Sequence, residues 1–164
     1  TAGVVVLGDI LNQRVPGGLE SYAHSKLFAP LGITNYQWQH TPQRVANTAG
    51  GVQLTPLGFA KFGELYRQGG RWNGQQIIPE DWIAVSTVPS ANTDPGMTGY
   101  GYQWWIPVGA EPGQFMARGI YGQYIYIDRP RNIVIALNSA DRKFREPGIE
   151  QKNESMFRLI ADSL

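Results

Sequence analysis

The tightest constraint on this chain lies between Gln123 and Leu137. Two apolar runs, Gln123–Asp128 and Ile133–Leu137, are separated only by Arg129 to Asn132. A parallel crossover needs roughly a dozen residues or more, so so short a connection makes the pair antiparallel. Tyr124 and Tyr126 alternate with Ile125 and Ile127, which puts the tyrosines on one face and the isoleucines on the other. Ile133–Leu137 is almost continuously apolar and predicts a central strand. The aromatic-rich stretch Tyr100 to Ile106 predicts a further strand.

The periodicity on either side is helical. Val4, Leu7 and Leu11, with Val6 and Ile10 beside them, predict a buried helix over 3–14, although Val4-Val5-Val6 alone also suits a strand. Pro16-Gly17-Gly18 stops it. Leu19 to Ala29 is a second helix, with a stripe of Tyr22, Ala23, Leu27 and Phe28 and an end at Pro30. Residues 30–53 read as an extended excursion. Thr55-Pro56 opens the clearest helix, because a threonine can cap free amides and proline fits the first helical position. Leu57, Phe59, Phe62, Leu65 and Tyr66 line one side of it, and Gly69-Gly70 ends it. Asn73-Gly74 marks a tight hairpin. Pro79-Glu80-Asp81 starts another helix, with acids where the helix dipole favours them. Residues 89–99 form a loop. The last helix, 148–164, carries Asn153, Met156, Phe157, Ile160 and Leu164 at helical spacing. Helices, then antiparallel strands, then one helix make an α+β arrangement rather than alternating βαβ units. The organisation expected is one piece over 1–164: mainly helical to 99, antiparallel strands over 100–138, and the closing helix.

Composition limits the function classes. Of the 164 residues, 42% are hydrophobic and 12% aromatic, enough for a real core. The formal net charge is +1, which gives no basis for nucleic acid or a charged membrane surface as partner. No apolar run reaches the ~18 residues of a membrane span. Without cysteine there is no disulfide, thiolate nucleophile or cysteine metal site.

The chain's own residues offer no complete catalytic centre. A serine nucleophile needs a base, and Ser-x-x-Lys puts both on one helical face. Ser21, Ser25, Ser86, Ser90, Ser139 and Ser155 are followed three residues later by His24, Phe28, Pro89, Thr93, Arg142 and Arg158, and Ser163 by nothing. His24, one turn from Glu20, reads as a surface pair, and His40 lies in a polar loop. Neither joins a metal-binding array, so no metal is expected. Asn153-Glu154-Ser155 matches a glycosylation sequon, a match common by chance.

Two stretches carry a family resemblance. AGGVQLTPLGFAKFGELYRQGGRWNGQQIIPEDWIAVSTV, Ala49 to Val88, combines the pair Gly50-Gly51, the helix entry Thr55-Pro56 and an ordered run from Gly70 to Trp82. It resembles the serine β-lactamase and penicillin-binding-protein-like hydrolases, in the branch of class C β-lactamases, related esterases and 6-aminohexanoate-dimer hydrolases. FMARGIYGQYIYIDRPRNIVIAL, Phe115 to Leu137, resembles that family's active-site strand, which carries a Lys-Thr-Gly or His-x-Gly type triplet, then a glycine-rich turn and a hairpin ending in "I-D-P". Gly119 aligns with the triplet glycine, Gly122 with the next, and Pro130 is displaced by one. Tyr100–Ile106, Leu7-Gly8 and Leu27-x-x-Pro30-Leu31-Gly32 extend the likeness over nearly the whole chain.

The resemblance implies the C-terminal portion of a β-lactamase/transpeptidase-like fold, an antiparallel sheet flanked by helices. It implies that the backbone amide of Ile120 is an oxyanion-hole donor, and that Gly119 lets substrate approach the strand. Ala117 and Arg118 would fill the first two triplet positions, replacing the family's lysine or histidine and its hydroxyl residue. That turns the expected substrate from β-lactams toward esters or simple amides. Tyr121, Gly122, Gln123, Trp104 and Trp105 are candidate pocket residues, with at most one of the adjacent tryptophans facing the pocket. The family's Ser-x-x-Lys and Tyr-x-Asn-like motifs lie upstream. None of the eight tyrosines here has Asn two residues on. The chain therefore reads as beginning just beyond the second catalytic motif. Its expected partners are a small amide or ester substrate, the N-terminal part of the parent enzyme and, through an exposed sheet edge, further copies of itself. The resemblance calls for no cofactor, and periplasm and cytoplasm both stay open. Two rivals stand beside this reading: a non-catalytic binding domain using an aromatic sheet face, and a subunit that complements an N-terminal fragment.

Overall fold

A computed structural model describes residues 2–91, 94–144 and 146–164. The chain forms two compact units, one ending at Gly58 and one running from Phe59 to Leu164.

In the first unit, α1 spans Ala2–Arg14 and α2 spans Gly18–Ala23. A turn of π-helix, His24–Phe28, continues α2, with the Ala29 amide donating to the His24 carbonyl at 2.8 Å. The helix over 3–14 forms as expected, but its burial does not follow. Val5, Val6, Leu7, Ile10 and Leu11 are each about half exposed, and Gly8 alone is buried. Gly8 is small for a reason. A Cβ there would sit 2.3 Å from Thr48 Oγ1, and that hydroxyl donates to the Val4 carbonyl at 2.9 Å. The excursion over 30–53 supplies β1 (Tyr36–Trp38) and β2 (Val52–Leu54), an antiparallel pair with Tyr36 opposite Leu54. Phe28, Leu31 and Ile33 form the buried centre, and the Phe28 ring lies 4.6 Å from that of Tyr36. The expected Glu20–His24 pair is replaced. Glu20 accepts from His40 Nε2 at 2.7 Å, while His24 Nδ1 lies 3.3 Å from the Tyr36 hydroxyl. A loop histidine, distant in sequence, reached the carboxylate better than the one on its own helix.

Helix α3, Pro56–Arg67, starts as its sequence dictates: Thr55 Oγ1 accepts from the Gly58 amide at 3.1 Å. In the second unit it turns Phe59, Phe62 and Tyr66 toward a sheet. The hairpin of β3 (Arg71–Trp72) and β4 (Gln75–Gln76) turns through Asn73 and Gly74 at φ 47° and 81°, the left-handed region an Asn-Gly turn supplies. Helix α4 spans Glu80–Ser86. The loop expected at 89–99 includes Asn92 and Thr93, which lie outside the described residues.

The main sheet is antiparallel, in the order β5 (Gly99–Tyr100), β6 (Trp105–Ile106), β7 (Gln114–Arg118), β8 (Tyr124–Asp128), β9 (Ile133–Leu137). Two expectations are corrected. Tyr100–Ile106 is not one strand but a hairpin, folded back with Gln103 at φ 70° so that Tyr100 faces Trp105. Ile133–Leu137 is an edge strand, and β8, buried on both faces, lies inside the sheet between β7 and β9. The alternation in β8 is as read: Ile125 and Ile127 join Phe115, Trp104, Ile83 and Tyr66 on one face. Tyr124 and Tyr126 join Met116 on the other, beneath α5 (Ile149–Asp162). Helix α5 docks through Phe157 and Ala161. Met156, Ile160 and Leu164 of the expected stripe are exposed. Helices thus cover both faces, as the α+β reading required.

Candidate functional site

The distal end of β7 organises the site. Strand geometry sends alternate side chains to opposite faces. Phe115 and Ala117 point into the core under α3, and Met116 and Arg118 point toward α5. Beyond Arg118 the chain turns back through Gly119-Ile120-Tyr121-Gly122. The Gly122 amide donates to the Gly119 carbonyl at 3.3 Å, and the Gly119 amide to the Gln123 carbonyl at 2.8 Å. Gly122 sits at φ 80°, a conformation costly for any residue with a Cβ.

The turn is braced from its far side. Gln123 Oε1 accepts from the Tyr121 amide at 3.2 Å, and Gln123 Nε2 donates to the Ser139 carbonyl at 2.5 Å. The Asp141 amide donates to the Tyr121 carbonyl at 2.9 Å, and Phe144 meets the Tyr121 ring edge-on. A Cβ on Gly119 would lie 2.3 Å from Gln123 Oε1, so the glycine makes room for this brace. At the tip, Ile120 is 63% exposed, and among the described residues its amide has no acceptor.

Beside the turn lies a cleft of about 540 Å³. Trp105, Arg118 and Tyr124 line it on the sheet side, with Gly119, Ile120 and Gly122 at its rim. Asp141, Phe144, Glu146 to Gly148 and the first turn of α5 close it. Arg118 Nη1 donates to Glu150 Oε2 at 2.7 Å, and its guanidinium carbon sits 3.8 Å from the centre of the Trp105 ring. Burial pushes the nearby Glu154 carboxyl above the ordinary carboxylate range, against the pull of Arg118 and Arg158.

The structure therefore gathers Arg118, Gly119, Ile120, Tyr121, Gly122, Gln123 and Trp105 around one turn. It leaves two sequence candidates elsewhere. Ala117 packs against the core, and Trp104 is buried between Tyr66, Phe62 and Phe115. One of the adjacent tryptophans faces the cleft, as their neighbouring positions require. Of the sheet's aromatics, Tyr124 and Tyr126 are covered by Phe157 and Trp104 by Phe62 and Tyr66, while Tyr100 and Trp105 stay half-buried. Glu150, Asp141 and Phe144 went unread in the sequence. They reach the site only through the approach of α5 and its preceding loop, which no local spacing records. Among the described residues no three His, Asp or Glu side chains gather as a metal site would require, and no helix is long and apolar enough to cross a membrane. Asn153 of the sequon lies in α5, half-buried, with its side-chain amide donating to the Tyr124 hydroxyl at 3.3 Å.

The Beta-lactamase family profile matches residues 1–153. The chain belongs to the Beta-lactamase family. Within it, a 6-aminohexanoate-dimer hydrolase of Paenarthrobacter ureafaciens is 30% identical over 144 residues, covering 82% of this chain and 36% of that protein. A solved Bacillus anthracis structure, assigned as a 6-aminohexanoate-dimer hydrolase, superposes with TM-score 0.74 at 27% identity over 85% of this chain and 37% of the other. The octameric penicillin-binding protein homologue from Pyrococcus abyssi shares the fold, with TM-score 0.66 and 18% identity over 94% of this chain and 41% of that one. The β-lactamase-family chain described here thus spans little more than a third of the length of the relatives it matches. Its Gly119–Ile120 turn and its Gly70–Trp82 run fall within the family match.

Proposed function

We propose that this chain supplies one wall of the active site of a serine hydrolase that cleaves amide or ester bonds through an acyl-enzyme. The observation that carries the reading is Ile120: an exposed residue at the tip of a doubly braced turn and at the rim of a cleft, with no acceptor for its amide among the described residues. A developing oxyanion needs a donor fixed in place before the charge appears, because reorientation during reaction would spend the stabilisation gained. Gly119 keeps the approach to that donor free of a side chain. The nucleophilic serine, its lysine and the tyrosine would come from sequence outside these 164 residues. The 164-residue chain alone is then inactive, or nearly so.

The substrate reading is an ester or simple amide rather than a β-lactam. Ala117 stands where the family carries a lysine or histidine, so the side chain that would meet a β-lactam carboxylate is missing. Tyr121, Gly122, Gln123, Arg118 and Trp105 shape the substrate side, with Arg118 already engaged by Glu150. Self-association is proposed through the outer edge of β9, which pairs with no further strand among the described residues. Light scattering across a dilution series tests it.

The deciding experiment exploits the turn. Ile120 is the second of its four residues, a position that accepts proline. In the full-length protein, Ile120→Pro deletes the amide proton and Ile120→Ala keeps it. The proline variant should lose about 10²–10³-fold in kcat on a p-nitrophenyl ester, as for a lost oxyanion donor, while the alanine variant stays near wild type. Equal activity in both would sink the assignment. So would saturable ester hydrolysis by the 164-residue chain with every serine replaced.

A further inference from the structure

We propose that Arg118 is a positioning residue: with Trp105 and Glu150 it clamps the end of β7 and so sets where the Ile120 amide points. This rests on the oxyanion reading of Ile120.

The turn has two sides, and they are held by different means. Its far side is fixed by Gln123 on Ser139 and by Tyr121 on Asp141. Its near side has only the strand that enters it. Arg118 is the last residue of that strand, one peptide before Gly119. Its guanidinium is committed at both its face and its edge. The face stacks at 3.8 Å on Trp105 of β6, and the edge donates at 2.7 Å to Glu150 of α5. The side chain is only 16% exposed, although its partner Glu150 is 48% exposed. Three elements therefore converge on one planar cation. Glycine follows it: the Gly119 backbone is held within the turn by Gln123 and Gly122, but it has no side chain to tie the strand end to β6 or α5, and that tie is left to this clamp.

One of the five guanidinium N–H donors of Arg118 goes to Glu150, and the clamp consists in the joint use of that edge and of the face stacked on Trp105. The planar fork suits that double use, and a lysine would keep the charge but lose the stack. The second partner, Glu150, stands in the first turn of α5, a helix anchored further along by Phe157 and Ala161. The clamp thus ties the turn to the helix that covers the opposite end of the same sheet face.

The test is kinetic, in the full-length protein, on two p-nitrophenyl esters: one neutral and one carrying a carboxylate on its acyl group. Arg118→Gln and Glu150→Gln should each lower kcat on both esters by roughly tenfold to a hundredfold with KM nearly unchanged, the scale of loss a small misplacement produces. The double variant should fall no further than either single one, because both break one clamp. Arg118→Lys should recover part of the loss. Glu150 is half exposed, so its variant folds even if the arginine change does not. A rise in KM confined to the anionic ester in Arg118→Gln, with Glu150→Gln silent, would overturn the clamp in favour of substrate binding. Wild-type kcat in both folded variants would overturn it as well. If Ile120→Pro is also silent, the oxyanion reading itself fails. If Ile120→Pro is crippled while the clamp variants are not, only the clamp fails.

Discussion

From Phe59 onward the sheet is packed on both faces, and Phe115, Ile127 and Phe157 are fully buried. Up to Gly58, the helix with the most apolar sequence leaves Val5, Val6, Leu7, Ile10 and Leu11 half exposed and buries only a glycine. Both segments form helices, but the apolar residues of α1 are spread around its circumference, whereas those of α5 gather on one face. They differ as well in the surface each helix meets. Helix α5 is less apolar than α1, yet Phe157 inserts between Tyr124 and Tyr126, with ring centroids 5.2 and 5.6 Å away. The contacts of α1 with Leu19 of α2 and with Thr48 leave most of its apolar side chains half exposed. Periodicity tells which face of a helix is apolar. Only the partner surface decides whether that face is used.

The sharpest way to break this comparison is to remove the insert. Phe157→Ala should cost about 3–5 kcal/mol, the range for a large aromatic cut from a packed core. Urea unfolding of the chain followed by tyrosine or tryptophan fluorescence measures it. A loss under about 1 kcal/mol would mean that α5 is dispensable to the sheet and that the two segments differ less than their burial suggests.

A smaller effect tests the polar edge of the same face. Asp128 is fully buried, and its carboxylate accepts from Gln114 at 2.8 Å, from Arg131 at 3.2 Å and from the Tyr126 hydroxyl at 3.4 Å. Arg131 reaches on to Asp162 at the end of α5. Burial, then the charge of Asp128, pushes the Tyr126 hydroxyl up to about 12. The folded value exceeds the unfolded one, so this group's stabilisation is whole below the ordinary tyrosine range. It is lost as pH rises through the interval up to about 12. Tyr126→Phe should therefore flatten the alkaline fall in Tm while costing no more than ~1 kcal/mol at neutral pH. Identical alkaline slopes in the two proteins would show that Tyr126 ionises freely and that this face is looser than described.

How much of this was legible follows from the range of each signal. Thr55-Pro56, Asn73-Gly74 and the Tyr124–Asp128 alternation act within a few residues, and each element formed as read. The antiparallel hairpin was fixed by the shortness of Arg129–Asn132. Ile133–Leu137 was read as central because it is apolar throughout, yet it is an edge, since strand order depends on which chain segments arrive beside it. The fold class came from the order of elements, and the family from motifs spread over the chain. In the site, Arg118 through Gln123 are contiguous, so a resemblance over that stretch found them together. Glu150 could not be found that way. It lies 32 residues from Arg118, and only the docking of α5 on Tyr124 and Tyr126 brings them within 2.7 Å. The same absence of tertiary information misassigned His24 to Glu20, when His40 is the residue that arrives.

The smallest expected effect lies on α1 and sets the other end of the comparison. Leu7 is 55% exposed, and Gly8 beside it makes the close contact with Thr48. If burial rather than apolar spacing carries the energy, Leu7→Gln should change the unfolding free energy of this chain by no more than about 0.5 kcal/mol. Glutamine has a helix propensity close to that of leucine, so the helix itself is spared. Gly8→Ala serves as the control on the same helix, because its Cβ would have to displace the Thr48 hydroxyl that donates to Val4. Alanine is the better helix former, so a loss in Gly8→Ala can come only from that contact. A Leu7→Gln cost above about 1 kcal/mol, with Gly8→Ala silent, would mean that the apolar surface of α1 is the part that matters and that exposure is a poor guide to it.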